Sequence, residues 1–198
     1  MAVRGKITID QVTKRAFSNS KVFQNLAYGA VKKKTEALKK KTVDEFNKHE
    51  VTEELERGTS GNNSLLLGGR GNFFGFLGFN QGERPVEIVR DTLERQIFLK
   101  SKKGRLKKVT PTTFQWDFDI NIPSKEDIYL VTPMAWSSKS WVKGVEKGIT
   151  NAVKTIFRES DRSRSGVALQ SKQNVGFVTF SPTPYVTALL EKLRRELK

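Results

Sequence analysis

Residues 61–82 read GNNSLLLGGRGNFFGFLGFNQG, and the rest of the chain is interpreted around this stretch. It holds seven of the fifteen glycines and four of the thirteen phenylalanines, and Arg70 is its only charged residue. Glycine makes a backbone costly to order, whereas each fully buried leucine or phenylalanine side chain contributes roughly 1.5–3 kcal/mol to stability. The composition therefore predicts an extended, glycine-rich apolar loop over residues 59–83 that is ordered by burial.

Two interpretations of that burial are open. The loop either packs against a neighbouring copy of the chain or folds back on its own core. Large exposed apolar patches usually mark contact surfaces, which favours the first interpretation. The predicted subunit-interface residues are the apolar side chains of the loop, Leu65, Leu66, Leu67, Phe73, Phe74, Phe76 and Phe79.

The length and composition of the chain limit the classes of protein to consider. A chain of 198 residues is long enough for one domain with one sizeable core, predicted to span residues 1–198. Cysteine is absent, so neither a disulfide framework nor a thiolate zinc site is expected. No apolar run approaches the roughly 18 residues of a membrane span, and the first residues lack the apolar core of a signal peptide. We therefore expect synthesis in the cytosol and no membrane partner.

The net charge of +15 is spread along the sequence. Residues 1–60 hold 13 basic and 8 acidic residues, residues 61–138 hold 11 and 8, and residues 139–198 hold 12 and 5. A basic protein is attracted to nucleic acid, anionic membranes or acidic proteins, and charge alone does not choose among them.

Three basic clusters stand out, and each has two interpretations. The two lysine triplets of the first predicted helix are either a solvated face, with lysine stems covering apolar surface, or contacts to phosphate or to an acidic protein. The cluster over residues 100–108 is interpreted as a hairpin tip or loop, and is either a solvated turn or an electrostatic contact. The predicted electrostatic contact residues are Lys32, Lys33, Lys34, Lys39, Lys40, Lys41, Lys100, Lys102, Lys103, Arg105, Lys107 and Lys108.

The apolar spacing predicts an α+β domain with a mostly antiparallel sheet, a long N-terminal helix and a C-terminal helix. Helical spacing covers residues 20–48, a segment starting at Pro85, residues 138–156 and a segment starting at Pro184. Strict alternation over residues 114–122 predicts a strand, and residues 128–132 are its predicted antiparallel partner. Further short strands are predicted at residues 3–9, 167–169 and 175–180. The additional helices are expected to pack on the sheet.

Residues suited to catalysis do not form a recognisable constellation, so no enzyme activity and no cofactor are predicted. The single histidine, His49, is interpreted as a surface or capping residue. Asp117 and Asp119 alternate with core aromatics, which is typical of the solvent face of a strand. Glu50, Glu53 and Glu54 are interpreted as a solvated helix end.

Several stretches together resemble the virion proteins of contractile-tailed bacteriophages, in particular the neck and tail-completion group. They are HEVTEELERG (49–58), GGRGNFFGFLGF (68–79), TPMAWSSKSWVKGVEKGI (132–149), SRSGVALQSK (163–172) and PYVTALLEKLRREL (184–197). The resemblance covers most of residues 45–197, and the order of long helix, loop, sheet and helix is similar to the tail-completion fold.

The resemblance implies a structural protein without enzyme activity or cofactor. Such a protein assembles in the host cytoplasm as a homo-oligomeric ring at the neck or head-proximal end of the tail. It surrounds the DNA channel and contacts other neck and tail proteins. The alternative function is sequence-independent nucleic-acid binding, because basic clusters and aromatic residues can form a stacking platform.

Overall fold

A computed structural model describes residues 16, 20–109, 114–135, 137–149, 155–171, 173 and 180–197. Within these residues the chain forms seven α-helices and eight short strands, which confirms the predicted α+β class. The strands do not form one sheet. Each is two to five residues long, and they pair as four separate antiparallel ribbons because helices and loops separate the ribbons along the chain.

The long helices lie where the apolar spacing predicts them. Helix α1 spans Lys21–Asn47, α4 spans Pro85–Gln96 and α7 spans Val186–Leu197. Helices α4 and α7 each bury one apolar face; in α7 this face consists of Val186, Leu190 and Leu193. Burial of one face at 3.6-residue spacing supplies most of the stability of such helices, because isolated helices of this length are marginal in water.

The predicted strand over residues 128–132 is wrong, since residues 128–131 belong to helix α5, Lys125–Val131, and Thr132 is its C-cap. Ser124 begins the helix with a capping box. Its hydroxyl accepts from the Asp127 backbone N–H, and the Asp127 carboxylate accepts from the Ser124 backbone N–H. A short apolar run does not distinguish strand from helix by periodicity, so the cap decides the outcome.

The predicted strand over residues 114–122 is divided. Strand β3, Phe114–Asp117, pairs with β2, Arg105–Val109, whereas β4, Ile120–Asn121, pairs with β1, Phe98–Leu99. Of the predicted helix over 138–156, for which a break near Gly148 is the alternative, α6 spans only Trp141–Lys147, with Ser140 as its N-cap, and ends at Gly148, whose φ is +84°. This φ is readily adopted only by glycine, which is why the helix stops there. Residues 150–154 lie outside the described residues, and residues 155 and 156 are in a strand.

The remaining elements are short. Helix α2 spans Glu50–Glu56 and α3 spans Phe73–Phe76, with 3₁₀ turns at Gly58–Ser60 and Leu65–Leu67. Strands β5, Pro133–Met134, and β6, Ser137–Ser140, form one ribbon. Strands β7, Thr155–Phe157, and β8, Ala168–Gln170, form another. The strands predicted at residues 3–9 and 175–180 lie outside the described residues, except for Phe180.

The chain divides into two compact units. The smaller unit comprises Met1–Leu38 and Ile97–Asn121, and the larger unit comprises Lys39–Gln96 and Ile122–Lys198. The largest fully buried side chains of the larger unit are aromatic and include Trp141, Tyr185 and Phe46. None of the helices in the described ranges combines the length and apolar character that a membrane crossing requires.

Candidate interaction surfaces

The apolar loop is buried within its own chain. Phe73, Phe74, Phe76 and Phe79 are between 1% and 4% exposed, and Leu67 is 3% exposed. This corrects the expectation that these residues contact a neighbouring subunit. The physical reason is that the larger unit already supplies an apolar surface that removes them from water, as in the second interpretation of the loop.

Aromatic contacts hold the loop in this core. The Phe74 ring lies 5.2 Å from that of Phe79, which meets Trp141 edge-on at 5.9 Å. The Phe73 ring stacks on Phe180 with its centroid 5.4 Å away. Such offset and edge-on pairs add to the stabilisation that comes from area burial.

Polar contacts fix the backbone on either side of the phenylalanines. The Asn72 side chain caps helix α3, accepting from the Gly75 N–H at 2.7 Å, and donates to the Gly58 carbonyl at 2.8 Å. The Glu54 carboxylate accepts from the Ser64 hydroxyl and, at 3.2 Å, from the Leu66 N–H. A glycine-rich segment thereby becomes a single ordered structure.

Glu54 is therefore not part of a solvated helix end, because it is only 8% exposed. The sequence did contain a signal that Glu54 is buried. Glu54 lies three residues after Val51 and next to Leu55, both of which are buried on the same side of helix α2. Glu50 and Glu53 are exposed, as expected.

Two of the seven predicted interface residues remain accessible. Leu65 is 83% exposed and Leu66 is half-buried, whereas the other five lie in the core. An apolar side chain held out into solvent on a pinned loop is available for contact with a partner. A role in subunit contacts therefore stays a prediction for Leu65 and Leu66 only.

The basic residues predicted to make electrostatic contacts are mostly exposed. Those with exposed side chains and no salt bridge within the described residues are Lys32, Lys33, Lys34, Lys40, Lys100, Lys102 and Lys103. Arg105 is paired with Asp119 at 3.2 Å, and Lys39 is half-buried. Lys107 and Lys108 lie in strand β2, but their side chains are outside the described residues.

Lys41 is engaged within the larger unit. Its Nζ donates to the Glu196 carboxylate at 2.8 Å, and this hydrogen bond raises the pKa of Lys41 and lowers that of Glu196. The pair joins helix α1 to helix α7. Lys41 therefore makes an ion pair within the larger unit.

The fold gathers the positive charge into the smaller unit. Its 41 described residues include 10 basic and 3 acidic residues, a formal net charge of +7. The 121 described residues of the larger unit include 19 basic and 17 acidic side chains, a net charge of +2. The smaller unit is thus strongly basic for its size, a property that the even spread of charge along the sequence does not reveal.

Apolar side chains also lie exposed at the beginning of helix α1. Val22 is 67% exposed, Leu26 is 66% exposed and Phe23 is 44% exposed. Val22 and Leu26 are four residues apart and thus share one face of the helix. The smaller unit combines exposed apolar groups with a strong positive charge, which is the composition of a docking surface.

His49 has a structural role. Its Nδ1 accepts from the Val51 N–H at 3.2 Å, which makes it the N-cap of helix α2. Since Nδ1 is an acceptor, Nε2 carries the proton and donates to the Pro184 carbonyl at 3.0 Å. The prediction of a surface or capping residue is therefore confirmed.

Asp117 and Asp119 are both exposed, as predicted for the solvent face of a strand. Asp119 is paired with Arg105. Across the described ranges no group of three or more His, Asp or Glu side chains is placed to hold a metal ion.

A groove of about 750 Å³ lies between helices α5 and α6 in the larger unit. Its apolar lining includes Leu130 and Met134, and three lysines, Lys139, Lys143 and Lys147, also line it. Sequence reasoning missed this surface. The signal that could have found it is the four-residue spacing of Lys143 and Lys147, which places both on one side of α6, with Lys139 just before the helix.

Hydrogen bonds fix the walls of this groove. The Tyr129 hydroxyl donates to the Glu146 carboxylate at 2.7 Å, and that carboxylate also accepts from the Thr187 N–H at 2.8 Å. Burial, together with the bond to Glu146, raises the pKa of Tyr129. Tyr129 therefore stays neutral as a donor and links α5 to α6.

The chain was compared with known protein families, curated proteins and solved structures. No protein-family model, curated protein or solved structure matches the chain. The described surfaces include a strongly basic unit, an exposed leucine on an ordered loop, and a groove lined with lysines.

Proposed function

We propose that this protein is a structural virion protein of a tailed bacteriophage. In this proposal it forms a homo-oligomeric ring in the neck or at the head-proximal end of the tail, around the DNA channel. The single observation that carries the proposal is the concentration of positive charge, +7 in 41 described residues, in one compact unit. The pattern of sequence stretches that resembles neck and tail-completion proteins supports the same assignment.

The two units have different parts in this proposal. The larger unit, with its aromatic core and pinned loop, is the rigid body of each subunit. The smaller unit is the docking element that contacts acidic surfaces of adjacent neck or tail proteins. Individual exposed ion pairs contribute only about 0–1 kcal/mol, so a set of them mainly accelerates and orients docking.

Protein partners fit the basic surface better than DNA does. A channel must let DNA slide, whereas a surface that neutralises several phosphates binds DNA tightly at low salt. We therefore assign the exposed lysines of the smaller unit to acidic protein surfaces in the virion.

The second candidate function is sequence-independent nucleic-acid binding. The observation that favours it is the presence of an exposed aromatic ring, Phe23, in the same unit as the exposed Lys32–Lys34 and Lys100–Lys103 clusters. Aromatic stacking combined with a basic groove is the usual basis of such binding. This function predicts DNA affinity that falls steeply as the salt concentration rises.

The experiment measures the mass of the protein by light scattering after size exclusion, with and without duplex DNA. It is done at about 0.1 M and about 0.5 M salt, because the Debye length shortens from roughly 10 Å to about 4 Å between these conditions and electrostatic contacts are screened accordingly. Mass spectrometry of purified virions is the second readout. A discrete oligomer at both salt concentrations, together with presence in virions, supports the proposal. A monomer that binds DNA only at low salt and is missing from virions supports the second candidate instead.

A charge-reversal variant tests the basic surface itself. The change of Lys32, Lys33 and Lys34 to Glu should abolish incorporation into virions. The matched control reverses Arg158, Arg162 and Arg164, which are exposed in the larger unit, and alters the net charge by the same amount. Equal loss of incorporation in both variants would mean that total charge, rather than the smaller unit, matters.

A further inference from the structure

The groove between α5 and α6 carries a positive charge that the surrounding residues do not neutralise. No salt bridge to Lys139, Lys143 or Lys147 occurs within the described residues. Two carboxylates lie nearby: Glu126, which also lines the groove, is 3.8 Å from the Lys125 ammonium, and Glu146 accepts from Tyr129 and Thr187, so the three lysines outnumber them. The three ammonium groups are therefore available to an incoming anion.

The same groove exposes apolar surface. Leu130 lies in its lining and is 82% exposed, although it belongs to a helix whose neighbouring Ile128 is fully buried. Met134 forms part of the lining beside it. Lysines alone would fit any polyanion, but an exposed leucine beside them favours an occupant that also carries apolar side chains.

We propose that this groove docks an acidic, amphipathic segment of a partner protein. The lysine spacing defines the occupant further. Lys143 and Lys147 are one helical turn apart, or about 6 Å along α6. Carboxylates at positions i and i+4 of a helix have the same separation, so a helix with glutamates on one edge and leucines on the adjacent edge matches the groove.

The walls of the groove are preorganised for this contact. Ser140 caps α6 by accepting from the Lys143 N–H at 3.1 Å, and the Ser140 and Thr132 hydroxyls are hydrogen-bonded at 2.8 Å. The Lys143 ammonium lies 6.0 Å from the centre of the Tyr129 ring, at the outer limit of a cation–π contact. Little ordering of the protein is therefore required when the segment binds.

The test uses the full-length chain and three synthetic 16-residue helical peptides labelled with a fluorophore. The first carries Glu at i and i+4 with Leu on the adjacent edge, the second replaces Leu by Ser, and the third replaces Glu by Lys. Fluorescence anisotropy measures their dissociation constants. We expect the Glu/Leu peptide to bind at least fivefold more tightly than the Glu/Ser peptide, and the Lys/Leu peptide not to bind.

Variants of the groove locate the binding. Lys143→Gln/Lys147→Gln and Leu130→Ser alter exposed side chains, so the fold should be retained, and each should weaken the Glu/Leu peptide at least fivefold. The matched control, Arg158→Gln/Arg162→Gln, removes two exposed charges elsewhere in the larger unit and should leave the affinity unchanged.

Three results would overturn the proposal. They are absence of saturable binding at about 0.05 M salt, equal affinity for the Glu/Leu and Glu/Ser peptides, and equal weakening by the groove variants and the arginine control. Because the groove lies in the larger unit, these outcomes are independent of the basic surface of the smaller unit.

Discussion

Gly71 offers a sharp test of the conclusion that the apolar loop is ordered by its own chain. Its φ is +68°, and a Cβ added there would lie 2.3 Å from atoms of the Phe157 ring. Carbon atoms in favourable contact are about 3.5–4.0 Å apart. We therefore expect Gly71→Ala to force the ring of Phe157 away from the loop backbone by about 1 Å.

The expected cost has two parts. An alanine in the left-handed region costs roughly 1–2 kcal/mol. Overpacking against Phe157 costs roughly a further 1–3 kcal/mol. The free energy of unfolding should thus fall by about 2–5 kcal/mol.

Gly69→Ala is the matched control. Gly69 has a φ of +77° in the same loop, but a Cβ there would meet nothing within 4 Å. It should cost only the backbone part, about 1–2 kcal/mol. Urea unfolding of both variants, followed by tryptophan fluorescence, measures the difference.

A double-mutant cycle completes the test. In a Phe157→Ala background the obstructing ring is absent, so Gly71→Ala should cost no more than Gly69→Ala. Equal destabilisation by Gly71→Ala and Gly69→Ala in the wild-type background would refute the contact between Gly71 and Phe157. It would also weaken the conclusion that the apolar loop is ordered by contacts within its own chain.

Three further predictions concern stability. Glu54→Ala should lower the free energy of unfolding, measured by chemical denaturation, by about 3 kcal/mol, because it leaves the Ser64 hydroxyl and the Leu66 N–H without their acceptor. Ser64→Ala should cost about half as much, because it removes only one of these two hydrogen bonds. Phe74→Ser should unfold the larger unit, because removal of a buried phenylalanine side chain costs roughly 3–5 kcal/mol. The measurement is the loss of the near-ultraviolet circular dichroism signal. A folded but unassembled monomer would contradict the core position of Phe74. The Ser124 backbone N–H and then its hydroxyl lower the pKa of Asp127, so the stability that its carboxylate contributes is fully present above about pH 5 and is lost as the pH falls through the folded-state pKa. The difference in stability between the wild type and Asp127→Asn should therefore shrink between pH 5 and pH 2, and a constant difference would contradict the capping box.

Much of the helical structure was predictable because its signals are local. Helices α1, α4 and α7 follow from apolar residues at helical spacing, and α4 begins at the proline that the sequence marks. The N-cap role of His49 was also predictable, because it precedes a helix-forming segment. The capping box of Ser124 and Asp127 was available too, but the apolar run after it was interpreted as a strand.

The sheet was not predictable in the same way. Alternation over residues 114–122 indicates extended backbone correctly, but it does not identify the partner of each residue. The strand is interrupted at Phe118–Asp119, so that β3 pairs with β2 and β4 pairs with β1. Pairing depends on where each strand ends and on its register with its partner, which the periodicity of one segment does not report.

The sequence by itself determined the α+β class, the long helices and the total charge of +15. These properties depend on composition and on residues within a few positions of each other. Only the tertiary structure decided that Phe73 and Phe74 lie in the core of their own chain, and that the described positive charge is concentrated in the smaller unit. The physical reason is that burial and charge density depend on which distant segments meet. The apolar loop needed a surface to cover it, and that surface is built from residues up to about a hundred positions further along the chain.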